Sequence, residues 1–265
     1  MSLMMLAALL LPEASNADLF RKGEIAFRAG LGVRDKDDPN DRGEADFREA
    51  ATAWETIRSR GVDTALLYRN LGHAYFFAGD LPRSILFYRL GLRREPGDAE
   101  LRRGLRQARS RVVFAEGTTL GRPADELSPT WLPELSLGWL FALGVILHTT
   151  GWAILTRWVM VRGPRLLVAG LVLLGVGLCL GWLVFQRQNG DPAPPVVVVF
   201  RDGVLLRKGN GSAFPPWSDV PLNRGVEAEQ LLSRDGWVQI RLPGGEVGWV
   251  GSAEVVVGDD PEASR

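Results

Sequence analysis

The sequence predicts a multi-domain chain: an all-α array of helix–turn–helix repeats, then a two-helix transmembrane hairpin, then a small all-β barrel. Three observations carry this. Two stretches of about twenty residues, 135–156 and 166–186, contain no Asp, Glu, Lys or Arg. Before them, small, aromatic and aliphatic residues recur at fixed spacings over 65–98. After them come short Val-rich runs with two spaced tryptophans, separated by Gly-containing turns.

Composition limits the function. The 265 residues carry 31 basic and 31 acidic side chains, so no polyanion is implied and no nucleic-acid partner is expected. The charge is unevenly spread: the first part is rich in Arg, Asp and Glu, the middle is almost free of charge, and the last part favours Val, Gly and Trp. A single cysteine, Cys179, can build neither a disulfide framework nor a thiolate metal site. His73 and His148 are too far apart in sequence to suggest a histidine metal cluster. No cofactor is expected.

The chain opens with a short apolar run, Met1 to Leu11, followed by Ser15 and Ala17 at the −3 and −1 spacing of a signal-peptidase site. The run is too short to span a bilayer, and a basic n-region is missing. An upstream start or a buried helix would account for that departure; a signal peptide over 1–17 is the preferred reading.

Residues 18–115 read as the helical module. Within 65–98 the pattern is Tyr68-x-x-Leu71-Gly72-x-x-Tyr75, then Gly79-Asp80, Ser84, Tyr88, Gly91 and Pro96. Tyr68, Leu71 and Tyr75 share one helix face. Gly72 and Ser84 are small where two antiparallel helices cross, Gly79-Asp80 turns the chain, and Pro96 stops the second helix. The pattern resembles the tetratricopeptide repeat, a 34-residue helix–turn–helix. One such unit cannot bury its own face, so neighbours are expected. Leu19 to Phe27 resembles a first helix and Phe47 to Ile57 a second, with Arg34 to Arg42 as a charged loop between them. Ala99 to Phe114 reads as a capping helix, with Arg102, Arg106 and Arg109 as a solvated stripe. The resemblance implies a peptide-binding groove at Leu66, Arg69, His73, Phe76 and Phe77. At least one of the two phenylalanines should face the groove or the capping helix.

A linker, 116–134, leads to the first span. Each apolar stretch matches a hydrocarbon core of roughly 30 Å. The loop between them, 157–165, carries Arg157, Arg162 and Arg165, whereas Asp125, Glu126 and Glu134 precede the first span. Arginine in a short loop marks the cytoplasmic side, which puts both large modules in a periplasm-like space. Gly177-Leu-Cys-Leu-Gly181 has a small-xxx-small spacing, with Gly138 and Ala142 as a matching face, suited to hairpin or dimer packing. His148, Thr149 and Thr150 lack an acidic partner in either span and read as satisfied packing residues.

A proline-rich tether, 187–195, precedes the β module at 196–258; a tail, 259–265, follows. Strands are expected at 196–200, 204–208, 226–232, 237–242, 247–250 and 254–257. The early arm Val204 to Gly211, Asp235-Gly-Trp-Val-Gln-Ile240 and Gly248-Trp-Val250 resemble the bacterial SH3-like barrel. Phe214, Trp217, Trp237 and Trp249 either line a peptide or glycan groove there or fill a small core.

The whole order of signal, repeats, hairpin with a basic loop and SH3-like barrel resembles the BatE family of the bacterial aerotolerance operon. That resemblance implies a multi-pass protein of the bacterial inner membrane working beside von Willebrand A-type membrane proteins and a MoxR-type ATPase. The expected function is a non-catalytic, membrane-anchored scaffold. The alternative is an envelope sensor whose barrel binds peptidoglycan or a peptide. No Gly-x-Ser-x-Gly elbow, phosphate-cradling loop or His-Glu-x-x-His helix occurs, so no catalytic residue is assigned.

Overall fold

The computed structural model describes residues 14–34, 43–115, 120–123, 137–188 and 194–258. The candidate leader through residue 13, most of the charged insertion (35–42), most of the 116–134 linker, the tether at 189–193 and the tail lie outside the described residues. The chain forms two compact units, Met1–Leu127 with Pro194–Arg265, and Ser128–Ala193. Among the described residues there are seven α-helices and one five-stranded antiparallel sheet.

The first unit begins with α1 (Asn16–Arg34), α2 (Glu44–Ser59), α3 (Ala65–Phe77), α4 (Leu81–Arg94) and α5 (Ala99–Arg109). Each packs on the next, and α3 also touches α5. The starts of α3, α4 and α5 follow from their caps. Thr64 accepts from the Leu67 amide, Asp80 from that of Arg83, and Asp98 from those of Glu100 and Leu101. Each such cap contributes about 1 kcal/mol. The small residues are sterically required. A Cβ at Gly72 or at Gly104 would lie 2.6 Å from the Tyr88 ring, so this fully buried ring is clamped between α3 and α5.

The sheet comprises β1 (Val196–Val199), β2 (Glu227–Arg234), β3 (Trp237–Arg241), β4 (Val247–Gly251) and β5 (Val255–Val257), in the order β4-β3-β2-β1-β5. Val204 to Lys208, expected as a strand, forms only isolated bridges: Val204 to Leu222, and Arg207 to both Pro216 and Trp249. The Arg207 pairing still covers the free edge of β4, which would otherwise present unpaired backbone groups.

The helices and the sheet share one core. All four valines of β1 are buried, because β1 packs against α4 as well as sitting inside the sheet. At Gly225 a Cβ would meet Val112, Ile85 and Leu81, and at Gly258 it would meet Leu86 and Leu90. The expected stripe on α5 is corrected here. Arg109 is buried, and its guanidinium makes a bidentate pair with Glu227 at 2.6 and 3.0 Å. Arg89 approaches the same carboxylate at 3.3 Å. The capping helix also ends at Arg109 rather than Phe114, and Val112 leaves it to pack beside Gly225. Pro194 and Pro195, expected in a spacer, are docked: the Pro194 carbonyl accepts from Arg93 and that of Pro195 from the Gln230 amide.

The second unit is the antiparallel pair α6 (Leu137–Val161) and α7 (Pro164–Gln188). Both are long and apolar enough to cross a membrane. Only Arg162 and Gly163 are non-helical between them, so Arg157 and Arg165, expected in a loop, sit on the adjoining helical turns. Glycines set the approach of the two helices. A Cβ at Gly177 would lie 2.9 Å from the Gly144 carbonyl oxygen, and one at Gly151 would lie 3.0 Å from Leu174. Gly181, expected to share this role, faces open space. His148 accepts from the Trp152 indole at 3.1 Å, and Thr149 donates to the Val145 carbonyl at 2.9 Å. Both polar side chains therefore have partners within their own helix.

Candidate functional site

A cleft between α1, α2 and α3 is the main candidate site. Glu24, Phe27 and Arg28 of α1, Trp54 of α2, and Asn70 and His73 of α3 enclose a cleft of about 120 Å³. Trp54 is held in place by its indole, which donates to the Phe20 carbonyl at 3.3 Å, and by the absence of a side chain at Gly23, directly beneath the ring.

The five residues expected to line the groove fall into two groups. Leu66, Arg69 and His73 lie on one side of α3, and of the three His73 lines the cleft. Leu66 is 49% exposed and has the open position expected of a contact residue. Arg69 pairs with Glu100 at 2.5 Å and approaches Asp98 at 3.8 Å, which ties α3 to the start of α5. His73 stands edge-on to the Tyr88 ring, with centroids 5.6 Å apart. Burial, and then the nearby Arg69 cation, hold the His73 imidazole below its ordinary value and favour the neutral ring.

Phe76 and Phe77 belong to the packing. Phe76 is buried under the Arg111 guanidinium, 4.1 Å from the ring centroid. Phe77 stacks on Phe47 at 5.1 Å, approaches Phe27 at 5.9 Å, and is covered by Arg34 at 4.7 Å. Phe76 thus meets the chain just after α5, and Phe77 bridges to the first helical pair.

Sequence reasoning missed the α1 contribution. A signal was present. If Gly23 is matched to Gly72, then Glu24, Phe27 and Arg28 fall at the positions of His73, Phe76 and Phe77. Transferring the register would have found all three.

On the sheet, side chains alternate between core and surface. Val238, Ile240 and Val250 are buried, while Trp237, Gln239 and Trp249 are half-buried on the opposite face. Pairing places Pro216, Arg207, Trp249, Gln239 and Leu232 in one row across that face. Phe214 and Trp217 flank the 206–209 segment at 46% and 45% exposure. The Phe214 carbonyl accepts from Arg207 at 2.8 Å, and the Trp217 amide donates to the Leu206 carbonyl at 2.6 Å. Three of the four expected aromatics therefore gather around Arg207. Trp237 lies one step away, opposite Gly251 and beside the β2–β3 turn.

Among the described residues, no group of three or more His, Cys, Asp or Glu side chains could hold a metal ion. No protein-family model matches the chain, and no curated protein matches it.

Proposed function

We propose that the chain is a non-catalytic, membrane-anchored scaffold that receives a segment of a partner protein at the cleft between α1, α2 and α3. The observation that carries this reading is the cleft between Trp54 and His73, with Leu66 half-exposed two turns away on α3. It combines an apolar wall with Glu24, Arg28 and Asn70, the mixture that peptide grooves on helical arrays use for affinity and orientation. The helix caps and the glycine positions under Tyr88 support a tetratricopeptide-type array. The long arm between β1 and β2, folded back onto β4, supports an SH3-like barrel. The resemblance to BatE proteins supplies the setting: the inner membrane of a bacterium, with α6 and α7 crossing it and the arginines near their junction on the cytoplasmic side. The helical array and sheet then lie on the periplasmic side, and von Willebrand A-type membrane proteins are the proposed partners.

The test is affinity purification of the full-length protein from detergent-solubilised membranes, beside Leu66→Asp and His73→Asp variants. Folded variants should lose a copurifying membrane protein that the wild type retains. Unchanged copurification in both would refute the groove. Glutamate at Phe76 is a poor probe, because that ring is buried and its replacement tests folding instead.

A second reading rests on the exposed aromatics around Arg207, which suit a glycan or peptide of the cell wall. Full-length protein in nanodiscs would cosediment with purified peptidoglycan, and Trp217→Ala would abolish this. Equal sedimentation of the variant and the wild type would exclude the face.

A further inference from the structure

We infer that the β2–β3 end of the sheet docks on the headgroup region of a phospholipid bilayer, through Leu231, Leu232 and Trp237. The inference rests on the proposal that α6 and α7 span that bilayer.

Strand direction identifies the end concerned. β1 pairs antiparallel with β2 and β5, and its pairing with β2 begins at Val196 opposite Glu229. The Pro195 carbonyl extends that pairing by one step, to the Gln230 amide. Beyond it β2 continues through Leu231, Leu232, Ser233 and Arg234 with only β3 beside it. This overhang, the turn at Asp235-Gly236, the start of β3 at Trp237 and the last residue of β4 all lie at the end where the chain enters β1.

Connectivity limits where that end can go. Residues 189–193 are all of the sequence between α7 and Pro194. Fully extended, such a connector reaches roughly 20 Å. If α7 spans a bilayer, Pro194 stays within that reach of the end of α7, and the overhang continues from the residue that pairs with Pro195.

The chemistry of the overhang suits that surface. A register shift between Gln230 and Leu232 makes Leu231 the extra residue of a bulge, and both leucines stay exposed, at 36% and 49%. Bulges commonly re-aim side chains in this way. Two adjacent exposed leucines at a strand edge are an aggregation hazard unless something covers them. Trp237 is half-buried beside them, the kind of amphipathic ring that settles at headgroup level. Arg234 pairs with Asp235 at 3.1 Å, so the tip carries little net charge and its attachment is apolar rather than electrostatic. Uncharged, zwitterionic lipid should therefore be sufficient.

The test uses full-length protein in phosphatidylcholine vesicles containing doxyl-labelled lipid. An environment-sensitive NBD probe is attached at Ser233→Cys in a Cys179→Ser background, and in a separate sample at Arg201→Cys, beyond the opposite end of β1. A third sample carries the probe on the native Cys179 of α7. Docking is supported if doxyl lipid quenches the 233 probe, its emission is blue-shifted, and iodide quenches it severalfold less than the 201 probe. Adding Leu231→Ser with Leu232→Ser should erase that difference. If iodide reaches 233 and 201 equally while Cys179 remains lipid-quenched, docking is refuted and the spanning reading stands. If iodide also reaches Cys179, the spanning reading fails and the inference falls with it. Shielding of 233 in native membranes but not in pure lipid would assign the tip to a protein and overturn the proposal.

Discussion

Replacing Glu227 with Gln tests whether the sheet and the helices form one folding unit. The residue is 6% exposed, and its carboxylate accepts from Arg109 at 2.6 and 3.0 Å, with Arg89 at 3.3 Å. Glutamine keeps the shape and removes the negative charge. Arg109, itself 8% exposed, then loses the bidentate carboxylate that Glu227 supplied. Breaking a buried pair from one side costs about 3–5 kcal/mol, because the attraction is lost while the remaining charge stays desolvated. Against a total stability of roughly 5–15 kcal/mol for a domain, that is a large fraction.

The reciprocal change, Arg109→Met, should cost a similar amount. The double variant Arg109→Met with Glu227→Leu should recover most of the loss, since replacing both charges with apolar groups removes the desolvation penalty along with the attraction. Urea unfolding of the detergent-solubilised full-length protein, followed by near-UV circular dichroism, gives the double-mutant cycle. With two single costs of that size and a double variant that recovers most of the loss, the expected coupling is at least about 3 kcal/mol, at or above the upper end of the range for contacting residues. Single variants that cost less than about 1 kcal/mol would show that the pair is screened by solvent, and strictly additive costs would show that it is not a pair at all. Either result would refute the buried ion pair as a link between the sheet and the helices.

Three further outcomes follow from the same geometry. Gly104→Ala puts a methyl group against the Tyr88 ring and should destabilise by about 1–3 kcal/mol, whereas Gly181→Ala, with open space around it, should be nearly silent in thermal unfolding. An isolated 190–265 fragment should show no cooperative unfolding by circular dichroism, because β1 would lose the α4 surface that covers it. For His73, the folded pKa lies below the ordinary 6.5, so the unfolded chain binds more protons between the two values. Stability is then complete above about 6.5 and falls as pH drops toward the folded value, and His73→Asn should flatten this dependence in urea titrations.

Local patterns were legible in the sequence because they have local causes. The turn at Gly79-Asp80, the small residue at Gly72 and the two long apolar helices all follow from spacing and side-chain type. The readings that changed depend on contacts made far along the chain. Arg109 and Glu227 are 118 residues apart, and nothing in the spacing of arginines on α5 distinguishes a solvated cation from one with a buried partner. Phe77 looked available until α1 and α2 supplied Phe27 and Phe47. One long-range clue did stand in the sequence. Four successive valines in β1 do not alternate with polar residues, and a strand of that kind is covered on both faces. The second cover, α4, lies about a hundred residues earlier in the chain.

The shared core also limits how the proposed scaffold works. α3 presents Leu66, Arg69 and His73 on the groove side, and α4 packs behind it. The side of α4 that bears Leu81, Ile85, Leu86 and Leu90 meets the sheet, at Gly225 and Gly258. A partner that tilted the α3–α4 hairpin would have to carry β1 along or break a packed interface that contains a buried ion pair. Close-packed interiors transmit such displacements instead of absorbing them. The groove and the aromatic face around Arg207 are therefore held at a fixed separation, in contrast to modules joined by a flexible linker, whose effective concentration depends on linker length. A partner that touches both surfaces would meet one preset geometry, and replacing the sheet with an unrelated barrel would remove the surface on which α4 rests.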